Sequence, residues 1–308
     1  MALPSVSPPA YRRATLAALV LLTIIVVTGA AVRLTNSGLG CSDWPQCSQT
    51  KLVSVSSYHA AVEQLNRLFT GLVTIAVVVA VLGSVRRQPK RRDLVWLSWG
   101  LVAGVVGQIV VGGIAVLTDL NPAVVACHFL VSILLVTDAT VLFHRAGHED
   151  VDPVPAASAP ARRLGNLLLF AALAVISAGT VVTGTGPHGG DEKAPRFQLV
   201  MTDVARVHGV LVFALVGATA ALALLLRRED AAPAAQRAVV VLLAVEVAQA
   251  AVGYTQYFTG VPALLVAMHV VGALAVWIGA LRVRLALWSR PPLLEDISRK
   301  PVVMVAAQ

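Results

Sequence analysis

Residues 108–128 read QIVVGGIAVLTDLNPAVVACH. An apolar run ends at Leu117, a short polar turn carries Thr118, Asp119, Asn121 and Pro122, and a second apolar run follows and takes His128 into its interior. Residues 249–269, QAAVGYTQYFTGVPALLVAMH, repeat this arrangement. At a constant offset of 141, Gln108 meets Gln249, Gly112 meets Gly253, Thr118 meets Thr259 and His128 meets His269, while Pro122 and Pro262 fall within one position of register. Ala and Val agree easily by chance in such runs. Gln, Gly, Thr and His together do not, so the chain is expected to be an internal duplication.

The pair belongs to a series of eight apolar runs, at about 14–34, 62–85, 94–117, 123–143, 164–184, 204–226, 238–257 and 263–285. Hydrophobic residues are 57% of the 308 positions and charged residues 13%, half the charge of an ordinary soluble domain. Each run has the roughly 20 residues that cross a hydrocarbon layer. Period-two patterning is absent, and backbone groups in hydrocarbon must be satisfied within the segment, so the runs are expected to be helices. The first run is long enough to span and lacks a small-residue cleavage site, and so reads as a span rather than a leader. The fold class is all-α: a polytopic integral membrane protein of eight transmembrane helices, as two pseudo-symmetric four-helix bundles. An even four spans per half makes the repeat parallel, with a pseudo-twofold axis along the membrane normal.

Basic residues set the orientation. With the N-terminus inside, Arg12, Arg13, Arg86, Arg87, Lys90, Arg91, Arg92, Arg145, Arg162, Arg163, Arg227, Arg228, Arg237, Arg282, Arg284, Arg290, Arg299 and Lys300 are cytoplasmic. Arg33, Lys51, Arg67, Lys193, Arg196 and Arg206 fall on the outer side. That threefold excess predicts both termini cytoplasmic. It also explains the net charge of +8 by topology and lipid headgroups, with no nucleic-acid partner expected. The expected organisation is an N-terminal half at 1–144, a Pro/Ala-rich, flexible cytoplasmic linker at 145–163, a C-terminal half at 164–290 and a polar tail at 291–308. His144 and His148, at the linker's start, read as interfacial.

Three histidines lie well inside spans: His128, His208 and His269. Each sits one to two turns from the outer end of its helix, about 6–9 Å below the interface at 1.5 Å per residue. Asn66 shares that depth, and an offset of 142 sets it opposite His208. Two pairs follow, Asn66 with His128 and His208 with His269. Polar side chains inside a membrane are functional candidates by default, and facing histidines are how a helical bundle holds haem iron. Hydrogen-bonded core histidines are the competing reading, and matched depth favours the haem reading for His208 and His269. Zinc lacks a third and fourth ligand from any Cys, Asp or Glu cluster.

His59, Glu63 and Asn66 share one face of the second span, and Arg67 follows. Glu63 fits either a carboxylate that takes a proton or stabilises positive charge beside a macrocycle, or an ion pair with Arg67 at the helix end. Glu246 lies in the seventh span with Val105 as its counterpart, and no role is assigned to it. Cys41 and Cys47 flank a Trp-Pro turn in the first outer loop, on the oxidising side, which fits a disulfide staple or a redox-active dithiol. No CxxCH haem-attachment motif occurs, and Cys127 reads as a small packing residue.

GAAVRLTNSGLGCSDWPQC after the first span, the ExxNR segment at Glu63–Arg67 and the histidines near the outer ends of spans four, six and eight resemble the haem A synthase family. The resemblance runs over essentially the whole membrane region. It implies an oxidoreductase of a bacterial cytoplasmic membrane that converts a ring methyl of haem O to the formyl of haem A through successive hydroxylations, with water as oxygen source. It implies His208 and His269 as axial ligands of a haem b cofactor in the C-terminal half, and His128 as ligand of the substrate haem in the N-terminal half. It implies Glu63 as the acidic residue of the oxidation, a haem O synthase as donor and a membrane electron acceptor such as quinone. Both haem sites are expected toward the outer face. The family often has a histidine where this chain has Asn66, a poor iron ligand, which implies a five-coordinate substrate haem or a weak sixth ligand. The alternative is a di-haem cytochrome b carrying electrons from quinol. Sites at a single depth provide no transmembrane wire for it. A parallel-repeat transporter would need broken helices and midplane charges.

Overall fold

Proline sits in the first turn of four helices, where its missing N–H costs nothing and its fixed φ suits the helix. The computed structural model describes residues 5–48, 50, 53 and 55–293. Lys51, Arg299, Lys300 and all but the first three residues of the expected tail lie outside the described residues. Among the described residues the helices are α1 Pro8–Leu34, α2 Tyr58–Arg86, α3 Arg92–Leu117, α4 Pro122–Ala146, α5 Ala159–Thr185, α6 Met201–Arg228, α7 Pro233–Phe258 and α8 Ala263–Ala286. All eight are long and apolar enough to cross a membrane. Large apolar side chains such as Leu65, Trp96, Phe170, Phe213 and Leu264 face outward and exposed, as a lipid solvent permits. The protein is an all-α, multi-pass membrane protein.

Several helices begin before the apolar runs do. α1 starts at Pro8, α2 at Tyr58 and α5 at Ala159. Hydropathy marks the hydrocarbon layer, whereas a helix continues into the headgroup zone as long as its backbone bonds hold.

The two halves have one architecture. α1 packs on α2, α2 on α3, α3 on α4 and α4 back on α1; α5 to α8 repeat that ring. α4·α5 and α1·α8 are the symmetry-related contacts between halves, and α4 meets α8 on the axis, where Trp277 Nε1 donates to Thr137 Oγ1 at 2.8 Å. The turns before α4 and α8 match in backbone as well: Asp119 and Leu120 have φ of 52° and 59°, and their counterparts Gly260 and Val261 have 81° and 59°. Lipid offers no hydrophobic drive between helices, so small residues carry the close packing. A Cβ on Gly83 would fall 2.9 Å from the Tyr11 ring, and one on Gly104 2.6 Å from Leu135. Tyr11 is fully buried, with its hydroxyl 2.9 Å from Ser98 Oγ.

The segment 145–163 is held rather than loose. Its first residues complete α4 and its last ones start α5. Between them β1 (Val154–Pro155) pairs antiparallel with β2 (Trp288–Ser289), and Glu149 N–H donates to Pro291 O at 2.9 Å. Arg162 and Arg284 both lie over the Trp288 ring, at 5.0 and 5.4 Å. A Pro/Ala-rich composition does not reveal a partner strand more than 130 residues away. His144 and His148 stack at its start, ring centres 4.2 Å apart.

Candidate functional site

In the second half α6 and α8 are opposite corners of the four-helix ring, and His208 and His269 reach toward each other across it. Their ring centres are 6.4 Å apart with planes at 66°. Two metal–imidazole bonds of about 2 Å, plus about 1.15 Å from each nitrogen to its ring centre, place axial ligands of one iron roughly 6.3 Å apart. The pair therefore fits a six-coordinate haem iron. His208 Nδ1 donates to Val175 O at 3.1 Å, which fixes the tautomer and leaves Nε2 free as a ligand. Glycines make room for both rings: a Cβ on Gly179 would lie 3.2 Å from His208 Cε1, and one on Gly253 3.0 Å from His269 Cε1. Gln249 Nε2 donates to the His269 carbonyl at 2.7 Å, tying α7 to α8 at this level. Beside it a cleft of about 410 Å³ runs between α7 and α8, lined by Gln249, Val252, Met268 and Gly272 among others.

The first half repeats this frame with one ligand changed. Gly112 faces His128 as Gly253 faces His269, its Cβ position 3.1 Å from Cε1. Gln108 Nε2 donates to the His128 carbonyl at 3.2 Å and to Ser132 Oγ at 2.6 Å. His128 Nδ1 is buried without a partner. Opposite, Asn66 Oδ1 accepts from Thr28 Oγ1 on α1 at 2.8 Å. At Gly29, next in sequence, an added Cβ would meet nothing within 4 Å. Asn66 is thus tied to α1 by Thr28.

Glu63 lies one turn nearer the N-terminal end of α2 than Asn66 and is buried. Its Oε2 accepts from Cys41 N–H at 2.8 Å; its Oε1 accepts from Arg67 Nε at 3.0 Å and Nη2 at 2.5 Å. The Glu63–Arg67 ion pair therefore exists and also reaches the cysteine loop. Arg67 donates further to Asp43 O, Pro45 O and Gln46 O, each at 3.3 Å. Cys41 and Cys47 are joined in a disulfide. Between them Trp44 lies on Gly113 of α3, where a Cβ would be 2.7 Å from the indole. The loop is so folded down on the first half, next to the Gly112–His128 contact. His59 turns away, with Nδ1 3.0 Å from Ser37 Oγ.

The model of one protein family, described as cytochrome oxidase assembly protein (COX15-CtaA), matches residues 12–281. The chain belongs to the COX15-CtaA family. Among curated proteins it is similar to "Heme A synthase" of Geobacillus kaustophilus, 35% identical over 114 residues, which are 36% of this chain and 35% of that protein. "Heme A synthase" of Geobacillus thermodenitrificans is 32% identical over 113 residues, 36% of this chain and 35% of the relative. "Heme A synthase" of Exiguobacterium sibiricum is 28% identical over 168 residues, 53% and 56% of the two chains. The first two matches thus span about a third of the relatives' length.

Two intramembrane carboxyls of this COX15-CtaA chain stand apart from the histidine layer. Glu246, buried, accepts from Thr219 Oγ1 at 2.9 Å on Oε1, while Oε2 is buried without a partner. Asp138 on α4 lies against Gly100 of α3. Sequence reading passed over Asp138, although an acidic residue inside the run LLVTDATVLF was the available signal. It also passed over Thr28, Gly29 and Gly179, small residues whose value depends on which helix faces them.

Proposed function

We propose that this chain is a haem A synthase, a membrane oxidoreductase that converts a methyl group of haem O to the formyl group of haem A by successive hydroxylations. The observation that carries the reading is the spacing of His208 and His269, which suits two axial ligands of one iron, beside a first half with the same frame and one histidine fewer. His208 and His269 hold a haem b cofactor, which when bound supplies one-electron redox chemistry. His128 is the protein ligand of the substrate haem O. Asn66, held by Thr28, leaves the other face free of a strong ligand, as suits a molecule that enters and leaves.

Glu63 acts through its charge. Both oxygens are engaged and the site is shielded from water, so the carboxylate is preorganised to stabilise positive charge that develops at the ring methyl during oxidation. The same bonds make it a positioning residue for the cysteine loop. Water supplies the oxygen, and electrons leave to a membrane acceptor such as quinone. A haem O synthase is the donor of substrate. Both termini are cytoplasmic, and the haem layer lies toward the outer face of a bacterial cytoplasmic membrane.

Haem extraction and chromatography of the purified protein, made in a host that supplies haem O, tests this. Haem b together with haem O, hydroxylated haem O or haem A is expected. Haem b alone, in a preparation that yields no haem A from added haem O, would favour an electron-carrying cytochrome b and overturn the assignment.

A further inference from the structure

Arg33 ends α1, and Arg196 stands in the loop before α6; both are half-buried. They converge on two adjacent glycines of the second half, Arg33 from across the seam and Arg196 from the same loop. The stem of Arg33 lies over Gly190, 3.3 Å from where a Cβ would stand, and the Arg196 guanidinium covers Gly189. Gly38 N–H donates to Gly190 O at 2.8 Å, so this point is where the outer loops of the two halves are tied. Arg196 Nη2 donates to Pro187 O at 2.7 Å. Among the described residues neither guanidinium has a carboxylate partner, and the charge felt by Arg33 is the like charge of Arg196.

Two guanidinium groups brought together in a half-buried seam repel, and an anion between them reverses the sign of that interaction. Their planar donor forks match carboxylates. Their position names the carboxylate. Arg33 is five residues beyond Thr28, about 7.5 Å along α1 from the group that holds Asn66. Leu120, which leads into α4 and hence to His128, packs on Gly38 and Gly190 at the same point. Neither arginine serves the positive-inside pattern, since both lie on the outer side with its few basic residues. We propose that Arg33 and Arg196 form a clamp across the seam for the propionates of haem O bound in the first half. The clamp rests on the haem A synthase reading. It gives substrate recognition a component independent of the iron and of the methyl that reacts, and it takes one arm from each half.

The test uses purified protein carrying its haem b, titrated with haem O and with haem O dimethyl ester. The first-half haem is followed by its CO difference spectrum, which an iron held by two histidines does not give. Wild type is expected to bind the diacid about ten- to a hundredfold tighter than the ester, the range for charge-assisted hydrogen bonds. Arg33→Gln and Arg196→Gln are each expected to weaken diacid binding about tenfold and to leave ester binding unchanged. The absorption of the haem between His208 and His269 reports folding in every sample. If Arg33→Gln loses it, Arg33→Met, uncharged and of similar length, replaces that variant under the same criterion. Equal binding of diacid and ester by wild type, or an undiminished preference in both variants, overturns the clamp. A CO signal that is absent in wild type, or that survives His128→Ala, overturns the first-half substrate site instead.

Discussion

Arg67→Ala would cut the loop between α1 and α2 from the helices beneath it. The guanidinium makes two bonds to Glu63 and one each to Asp43 O, Pro45 O and Gln46 O. Its removal leaves the Glu63 carboxylate, only 7% exposed at its side chain, with the Gly40 and Cys41 backbone N–H groups and no countercharge. Breaking a fully buried pair costs about 3–5 kcal/mol. Arg67 is 21% exposed and the loop carbonyls can turn to water, which lowers the figure to about 2–3 kcal/mol. That is roughly a 30- to 150-fold larger open population of the loop, at 1.36 kcal/mol per factor of ten. Hydrogen exchange of the peptide containing Cys41, and the rate of reduction of Cys41–Cys47 by a water-soluble phosphine, should rise by that factor. The haem b spectrum should stay unchanged. Arg67→Lys keeps the charge and loses the fork, and should fall between. Wild-type exchange and reduction rates in Arg67→Ala would refute the reasoning, because the loop would then be held by Trp44 and the disulfide alone.

His269→Ala should abolish the six-coordinate low-spin haem b spectrum while the CO-reactive first-half haem persists; full retention of the low-spin species would remove His269 as a ligand. Glu63→Ala should retain haem b and accumulate haem O or a hydroxylated intermediate, as seen by chromatography of extracted haem, and wild-type haem A levels would remove Glu63 from the oxidation. Asn66→His should add a second histidine opposite His128 in the first half and suppress its CO difference spectrum by about tenfold or more, the scale of a 1.4 kcal/mol preference. An unaltered CO spectrum would mean that the added ring does not reach the iron.

How much of this was legible in sequence differs by kind of residue. The spans were plain because eight long apolar runs with few charges are read as helices in lipid. Their ends were not, because Tyr11, Arg12 and Arg13 extend α1 through a zone where hydropathy carries no information about backbone bonding. The histidine layer was legible from the 141-residue offset and a common depth. The pairing of His208 with His269 follows from helix packing that the offset implies. Glu63 was visible, while its tie to Cys41 N–H was not, since a backbone donor from a loop has no signature in composition. Asn66 was visible as an anomaly. Its physical account needed Thr28, whose hydroxyl is one of many in the span and gains meaning only from α1 packing on α2. The linker clasp was illegible for the same reason, its partner strand being distant in sequence.

The left-handed turns before α4 and α8 have a metric consequence. His128 stands six residues into α4 and His269 six into α8, so each imidazole sits about 9 Å of helix beyond a matching stop at Leu120 or Val261. A β-branched Val at φ 59° costs on the order of 1–3 kcal/mol, and the surrounding fold must hold it there. The stop therefore acts as a fixed zero on a ruler. One residue inserted between Val261 and His269 would leave the hydropathy profile untouched, yet turn the imidazole by about 100° around the helix axis and carry it off the pair.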